Sequence, residues 1–234
     1  MSRRDYAGVE RHLLYWLEEA KLGHDLKGQL LIRNELVGHY RKVGEKEKAF
    51  RNAEEAMKLI DEIGFSGSVS EGTAYVNIAT VYNAFGDNEK SLKVFEKAQT
   101  VFESIPSVRP DLLGGLYNNM ALTLVALKRF AEADLLYRKA LDVMGRVQNG
   151  ELEQAITYLN MANAVEAEKG IEEASDEIER DLDRAMGLLN TDGIPRNGYY
   201  AFVCEKCAPT FGYYGFFLAE EELKERAKAI YERS

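Results

Sequence analysis

What the chain has little of narrows the reading first. Only two cysteines occur in 234 residues, Cys204 and Cys207. They stand three apart with no second pair, and His12, His24 and His39 lie far off, which argues against a disulfide framework and against a four-ligand zinc site. Proline is confined to positions 106, 110, 195 and 209. That scarcity suits an all-helical chain, because proline removes a backbone donor and clashes with the preceding turn. No run approaches the roughly 20 apolar residues of a membrane span, and the start Met1-Ser2-Arg3-Arg4-Asp5 has no apolar stretch of a signal peptide behind it. A cytoplasmic location without membrane contact is expected.

Catalytic signatures are missing as well. There is no Gly-x-Ser-x-Gly, His-Glu-x-x-His or EF-hand loop. The linker Gly64-Phe65-Ser66-Gly67-Ser68 is glycine-rich, but no Lys-Ser/Thr follows at the P-loop spacing and no strand precedes it, which excludes a nucleotide reading. His39 beside Tyr40 and His12 beside Leu13 have no carboxylate or nucleophile at a telling spacing and read as structural or solvated. Cys204-x-x-Cys207 falls inside an expected helix, not after a strand, so a buried core pair is expected there; a redox pair or a metal site is the alternative. The chain is expected to be no enzyme, with no cofactor and no metal.

Charge is uneven along the chain. The net charge is -9, and residues 151–192 alone hold twelve carboxylates against Lys169, Arg180 and Arg184. Residues 1–60 carry 12 Lys and Arg against 10 Asp and Glu. Such a C-terminal half repels phosphate backbones, so nucleic acid is not expected as a ligand. The run Glu172-Glu173-Ala174-Ser175-Asp176-Glu177 opens a helix, where carboxylates complement the dipole; it serves as a solvated outer face or as a docking surface for a basic partner.

What is present is a repeat. Leu36-Val37-x-x-Tyr40, Ile78-Ala79-x-x-Tyr82 and Met120-Ala121-x-x-Leu124 fall 42 residues apart, followed after 41 by Met161-Ala162-x-x-Val165. Gly44, Gly86, Lys128 and Gly170 sit at the turns, 42 apart, and Ala49, Ser91, Ala133 and Ser175 recur five residues after each. A period of this size implies stacked supersecondary units and not a compact catalytic fold. Apolar periodicity predicts helices over about 5–22, 28–43, 45–63, 70–85, 88–103, 111–127, 130–146, 151–168, 172–189, 197–211 and 216–233, with Pro209 limiting or kinking the tenth.

These residues resemble the tetratricopeptide repeat family. The match rests on Tyr75, Ala79, Tyr82, Gly86, Ser91, Phe95 and Ala98 in one unit, and on Tyr117, Ala121, Leu124, Phe130, Ala133, Tyr137 and Ala140 in the next. The 42-residue length, against the usual 34, is most similar to the kinesin light chain subgroup. The resemblance covers roughly residues 5–189. It implies an all-α, right-handed superhelix of helical hairpins, read as one solenoid over 1–234. A half repeat would span 5–27, full repeats 28–69, 70–110, 111–150 and 151–192, and a degenerate repeat with a capping helix 197–234. Subtracting 42 from Ala49 lands on Ala7, so the first helix stands as a B helix whose A helix is missing, a cap or an edge that docks on a partner or a second copy.

Asn77, Asn119 and Asn160 each precede the packed apolar-alanine pair and point away from the core. The resemblance places such positions in a concave groove, where an amide can both donate to and accept from a peptide backbone. Asn34, Asn83, Asn118 and Asn163 lie beside them in the same register, with Leu31, Thr73, Thr80, Leu122 and Ile156. Where the family's carboxylate-clamp members carry paired Lys and Arg, this chain has Leu31, Thr73, Gly115 and Glu35, so the resemblance stops short of those members. The expected function is a non-catalytic scaffold or adaptor that binds an extended peptide or a partner helix. A peptide-responsive regulatory module acting through another protein is the first competitor, and a thiol enzyme using Cys204 and Cys207 the second.

Overall fold

The computed structural model describes residues 5–64 and 67–233. Met1 to Arg4, Ser234, and Phe65 and Ser66 of the glycine-rich linker lie outside the described residues. The described residues form eleven helices: α1 (Tyr6–Leu22), α2 (Leu26–Val43), α3 (Lys46–Ile63), α4 (Val69–Ala84), α5 (Asn88–Ser104), α6 (Pro110–Ala126), α7 (Phe130–Met144), α8 (Glu151–Lys169), α9 (Ile171–Leu189), α10 (Gly198–Tyr213) and α11 (Phe217–Tyr231). The fold is all-α, a series of sequential hairpins. Contacts divide the chain into two compact units, residues 1–108 and 109–234.

In the first unit α2 pairs with α3 and α4 with α5, while α4 also packs on α2 and α3, and α1 lies on α2. The pairing follows from small residues at the crossings. Ala49 and Ser91 are wholly buried, and the Ser91 hydroxyl donates to the Ala79 carbonyl at 2.8 Å, so even the polar crossing residue is satisfied. The α2–α3 turn needs a left-handed residue, which Gly44 supplies at φ 79°. The linker before α4 is a helix cap and not a phosphate cradle: Ser68 Oγ accepts from the Glu71 backbone N–H and the Glu71 carboxylate accepts from the Gly67 N–H, both at 3.1 Å. At the far end, α1 buries Leu17 and is tied down by Glu10, which accepts from Tyr40 Oη at 2.9 Å and Lys48 Nζ at 3.0 Å. Ala7 is exposed.

The second unit repeats the scheme with α6–α7, α8–α9 and α10–α11, α8 packing on α6 and α7 and α10 on α8. Volume exchange recurs across the helix ends. A Cβ on Gly114 would overlap Met144, as one on Gly72 in the first unit would overlap the Phe102 ring, and both pairs are related by the 42-residue period. Glycine here permits close approach to a large partner. The cation-aromatic contacts recur too: Lys139 Nζ lies 5.5 Å from the Tyr117 ring centre, as Lys97 Nζ lies 5.6 Å from that of Tyr75.

Two expectations are corrected here. Ser175 is exposed and Ala174 takes the buried crossing position, because Gly170 alone joins α8 to α9 and α9 starts a residue early. The shortening seen in α8 therefore continues into α9 and is not absorbed at the turn. Pro209 does not end α10, which runs on to Tyr213. Both Pro209 and Glu205, whose carbonyl the proline leaves without a helical donor, are exposed, so that acceptor is not shut away in the core.

Candidate peptide-binding site

Six of the seven asparagines fall into contacts or clefts that can be assigned. Asn34 and Asn77 come together on a cleft of about 370 Å³ between α2 and α4, with Leu31, Val69, Thr73 and Glu35 also on its walls. Leu31 is 64% exposed and Val69 41%, so apolar surface is on offer there. The Asn34 side-chain carbonyl oxygen is shut away from solvent and, among the described residues, accepts no hydrogen bond, whereas Asn77 is exposed. An unpaired amide oxygen beside an apolar cleft is a group with capacity to spare. Asn83, nearly two turns further along α4, is already engaged: its amide donates to the Asn88 side chain at 3.2 Å.

The second unit uses its asparagines internally. Asn160 Nδ2 donates to Asn118 Oδ1 at 3.0 Å, linking α8 to α6. Asn163 Oδ1 accepts from Tyr214 Oη at 3.0 Å, and the same hydroxyl lies 2.7 Å from Glu166, whose other oxygen accepts from Tyr213 Oη at 2.6 Å. Burial first, then the Glu166 carboxylate, raises the Tyr214 phenol above its ordinary range and keeps it a donor. Asn119 stays half-buried on α6, its backbone carbonyl accepting from Thr123 Oγ1 at 3.3 Å. Sequence spacing did not announce the tyrosine contacts; the signal available was the density of aromatics from Tyr199 to Phe217.

Cys204 and Cys207 are free thiols inside the core formed by α8 to α11. Burial pushes Cys204 up to about 11 and Cys207 to about 12, so both are protonated at neutral pH and poor nucleophiles. Among the described residues no cluster of His, Cys, Asp or Glu could hold a metal ion, and no helix is long and apolar enough to cross a membrane. In the acidic stretch, Glu172, Glu173 and Asp176 face solvent, Glu177 accepts from Lys169 at 2.6 Å, and Asp181 is turned inward at 7% exposure with Arg184 3.5 Å away.

Sequential antiparallel hairpins with alanine or serine at the crossings define a helical repeat protein. More specifically, the tetratricopeptide repeat family is matched twice, over residues 72–104 and over residues 114–147. The chain therefore carries tetratricopeptide repeats, which typically mediate protein–protein interaction and are generally non-catalytic. Its structural neighbours are kinesin light chain-like. The crystal structure of BtubC (BKLC) from P. vanneervenii superposes with a TM-score of 0.63 at 20% identity, over 98% of this chain and 91% of that one. A putative kinesin light chain of nearly identical TPR-like repeats from Podosopora anserina gives 0.57 at 17% identity, covering 88% of this chain and 96% of that one. A variant of that protein with a single residue changed gives 0.58 at 18%, covering 88% and 97%. At these identities the likeness speaks for the fold alone. No curated protein matches the sequence.

Proposed function

We propose that the chain is a cytoplasmic, non-catalytic adaptor that binds an extended peptide along its A helices, with the α2–α4 cleft of the first unit as the principal contact. The observation that carries this is the Asn34 carbonyl oxygen, buried and unpaired at a cleft whose rim holds exposed Leu31, Val69 and Asn77. A small rotation about the Asn34 side chain presents that oxygen to a peptide N–H, while Asn77 has both a donor and an acceptor free for the neighbouring peptide group. Leu31 and Val69 supply the shallow apolar contact that one side chain of the peptide covers. In the second unit, Asn118, Asn160 and Asn163 meet a ligand only where it displaces the bonds they now make, and Asn119 stands beside them on α6.

The test is a selection of peptides from a displayed library against the whole chain, followed by calorimetry on those enriched. Each lost hydrogen bond weakens binding by about 0.5–1.5 kcal/mol. Asn34→Ala with Asn77→Ala is therefore expected to lower affinity by about five- to a hundredfold, while Asn163→Ala changes it little. Peptides that bind the double variant as tightly as the parent chain would refute the cleft.

A further inference from the structure

In three B helices one stripe receives the A helix of the same hairpin. On α5 it is Ser91, Phe95, Ala98 and Phe102, each at most 1% exposed. The Ser91 hydroxyl donates to the Ala79 carbonyl of α4, and Phe102 fills the space that Gly72 leaves on α4. The period turns this stripe into Ala49, Ala53, Ala56 and Ile60 on α3 and into Ala133, Tyr137, Ala140 and Met144 on α7, all buried.

On α1 the same stripe is open. In the first unit Phe50 of α3 is wedged against α4, its ring centre 5.0 Å from that of Tyr82 and 5.8 Å from that of Phe85. Against Tyr40, one period before Tyr82, the α1 residue is Glu10, where the period alone would put Gly8. The first helix therefore sits two residues out of register, and the crossing position passes from Ala7 to Val9. With that shift the stripe is Val9, Leu13, Trp16 and Ala20, all apolar and on one helix face. Val9 is 45% exposed and Trp16 49%, with Tyr6 one turn earlier at 46%. Leu13 and Ala20 are half-buried.

The stripe is complementary to itself. Tyr6, Val9, Leu13, Trp16 and Ala20 alternate spacings of three and four, the seam of a two-helix coiled coil. Laid antiparallel on a second copy with Leu13 opposite Trp16, it sets Val9 opposite Ala20 and Tyr6 opposite Gly23. Large then meets small at both ends, as Phe102 meets Gly72 inside the chain. His12 and Glu19, both exposed, lie seven residues apart along one edge. The antiparallel copy brings each imidazole beside the other's carboxylate, donor to acceptor, twice over.

We propose that α1 is a homodimer interface, an antiparallel pair of α1 helices from two copies of the chain centred on Leu13 and Trp16. A two-fold contact of this kind closes on itself and recruits no third copy. Aromatic side chains bury 150–250 Å² each, so half-exposed Tyr6 and Trp16, with Val9, supply roughly 300 Å² per copy, against about 800 Å² in a stable interface. The dimer is therefore weak, with a dissociation constant on the order of 100 μM. The A-helix cleft plays no part in it, so either reading can fail alone.

Trp16 is the only tryptophan of the chain, and its emission reports this face. The test is sedimentation equilibrium with tryptophan fluorescence on the whole chain, from about 1 μM to about 1 mM. The mass is expected to climb from 26.4 kDa toward twice that value, and the emission to shift to the blue over the same range. Trp16→Glu is expected to hold the mass at the monomer value, and Tyr15→Glu, off the stripe, to leave association unchanged. His12→Glu and Glu19→Lys, both at exposed positions with little risk to folding, are each expected to weaken the dimer about three- to tenfold. The two together should restore it, because each copy then offers the other a matched pair. A chain that stays monomeric throughout would overturn the proposal and leave the stripe to a helix of another protein. Association that survives Trp16→Glu would overturn it by placing the contact elsewhere, and a double variant no tighter than the two single ones would overturn the antiparallel register.

Discussion

The α3–α4 and α7–α8 junctions are built to one plan and finished differently. Both bring a B helix against the next A helix, α3 against α4 in one and α7 against α8 in the other. The first is closed by three aromatics, and the second by a valine and charged side chains around a void. The difference teaches that the period fixes backbone spacing while leaving side-chain volume free. Close packing makes such a deficit costly, because atoms lining a void lose their contacts. A repeat protein tolerates it since each hairpin answers only to its neighbours.

The sharpest way to break the comparison is to hollow out the junction that is now full. Phe50→Ala is expected to destabilise the first unit by about 3 kcal/mol, the low end for phenylalanine truncation because the ring is half-buried. Denaturant melts of the two variants should then show Phe50→Ala far more damaging than Asp134→Ala, which removes only an exposed ion pair of small worth. Equal losses would mean that the two junctions do not differ as described.

Next in size is a change where the units are alike. Gly72→Ala and Gly114→Ala each drive a methyl into Phe102 or Met144 and are expected to cost about 1–3 kcal/mol, by thermal denaturation. Similar losses in both would confirm the shared plan. Ala at either site more stable than Gly would show that the large partner simply swings aside.

Much of this plan was legible beforehand. The bounds of all eleven helices follow from the apolar stripes and turn residues, each within two residues of its expected range, because those signals are local. The crossings at Ala49, Ser91 and Ala133 follow from the period for the same reason. Ser175 was misplaced because one deletion shifts every later position, and spacing alone cannot tell whether the turn or the next helix absorbs it. The asparagine row was legible as a helix face, but whether Asn160 bonds to Asn118 depends on how two helices are set side by side. The α7–α8 cavity had a signal, the succession Phe50, Leu92, Asp134 at one position of the period, yet only packing shows how open that junction is among the described residues.

Two smaller effects sharpen the account of the second unit. Burial raises the Asp181 carboxyl above its ordinary range, Arg184 and Arg180 opposing more weakly. A carboxyl raised on folding contributes stability that is present below its unfolded value and is lost as pH climbs through the folded one. Asp181→Asn is therefore expected to raise the melting temperature at pH 7, with the gain shrinking toward about pH 4. A gain that does not change with pH would contradict burial as its cause. Smallest of all, Cys204 and Cys207 are expected to react with a thiol reagent far more slowly in the native chain than in denaturant at the same pH. Rapid native labelling would return the thiol enzyme to consideration.

The most direct measurement is native-state hydrogen exchange on the parent chain and on Asp134→Phe, followed through helices α3, α4, α7 and α8. If the second junction is the first with its plug removed, exchange in α7 and α8 is faster than in α3 and α4, and the substitution slows it toward theirs. Equal protection in the parent chain, or no change in α7 and α8 with phenylalanine at 134, would contradict the account.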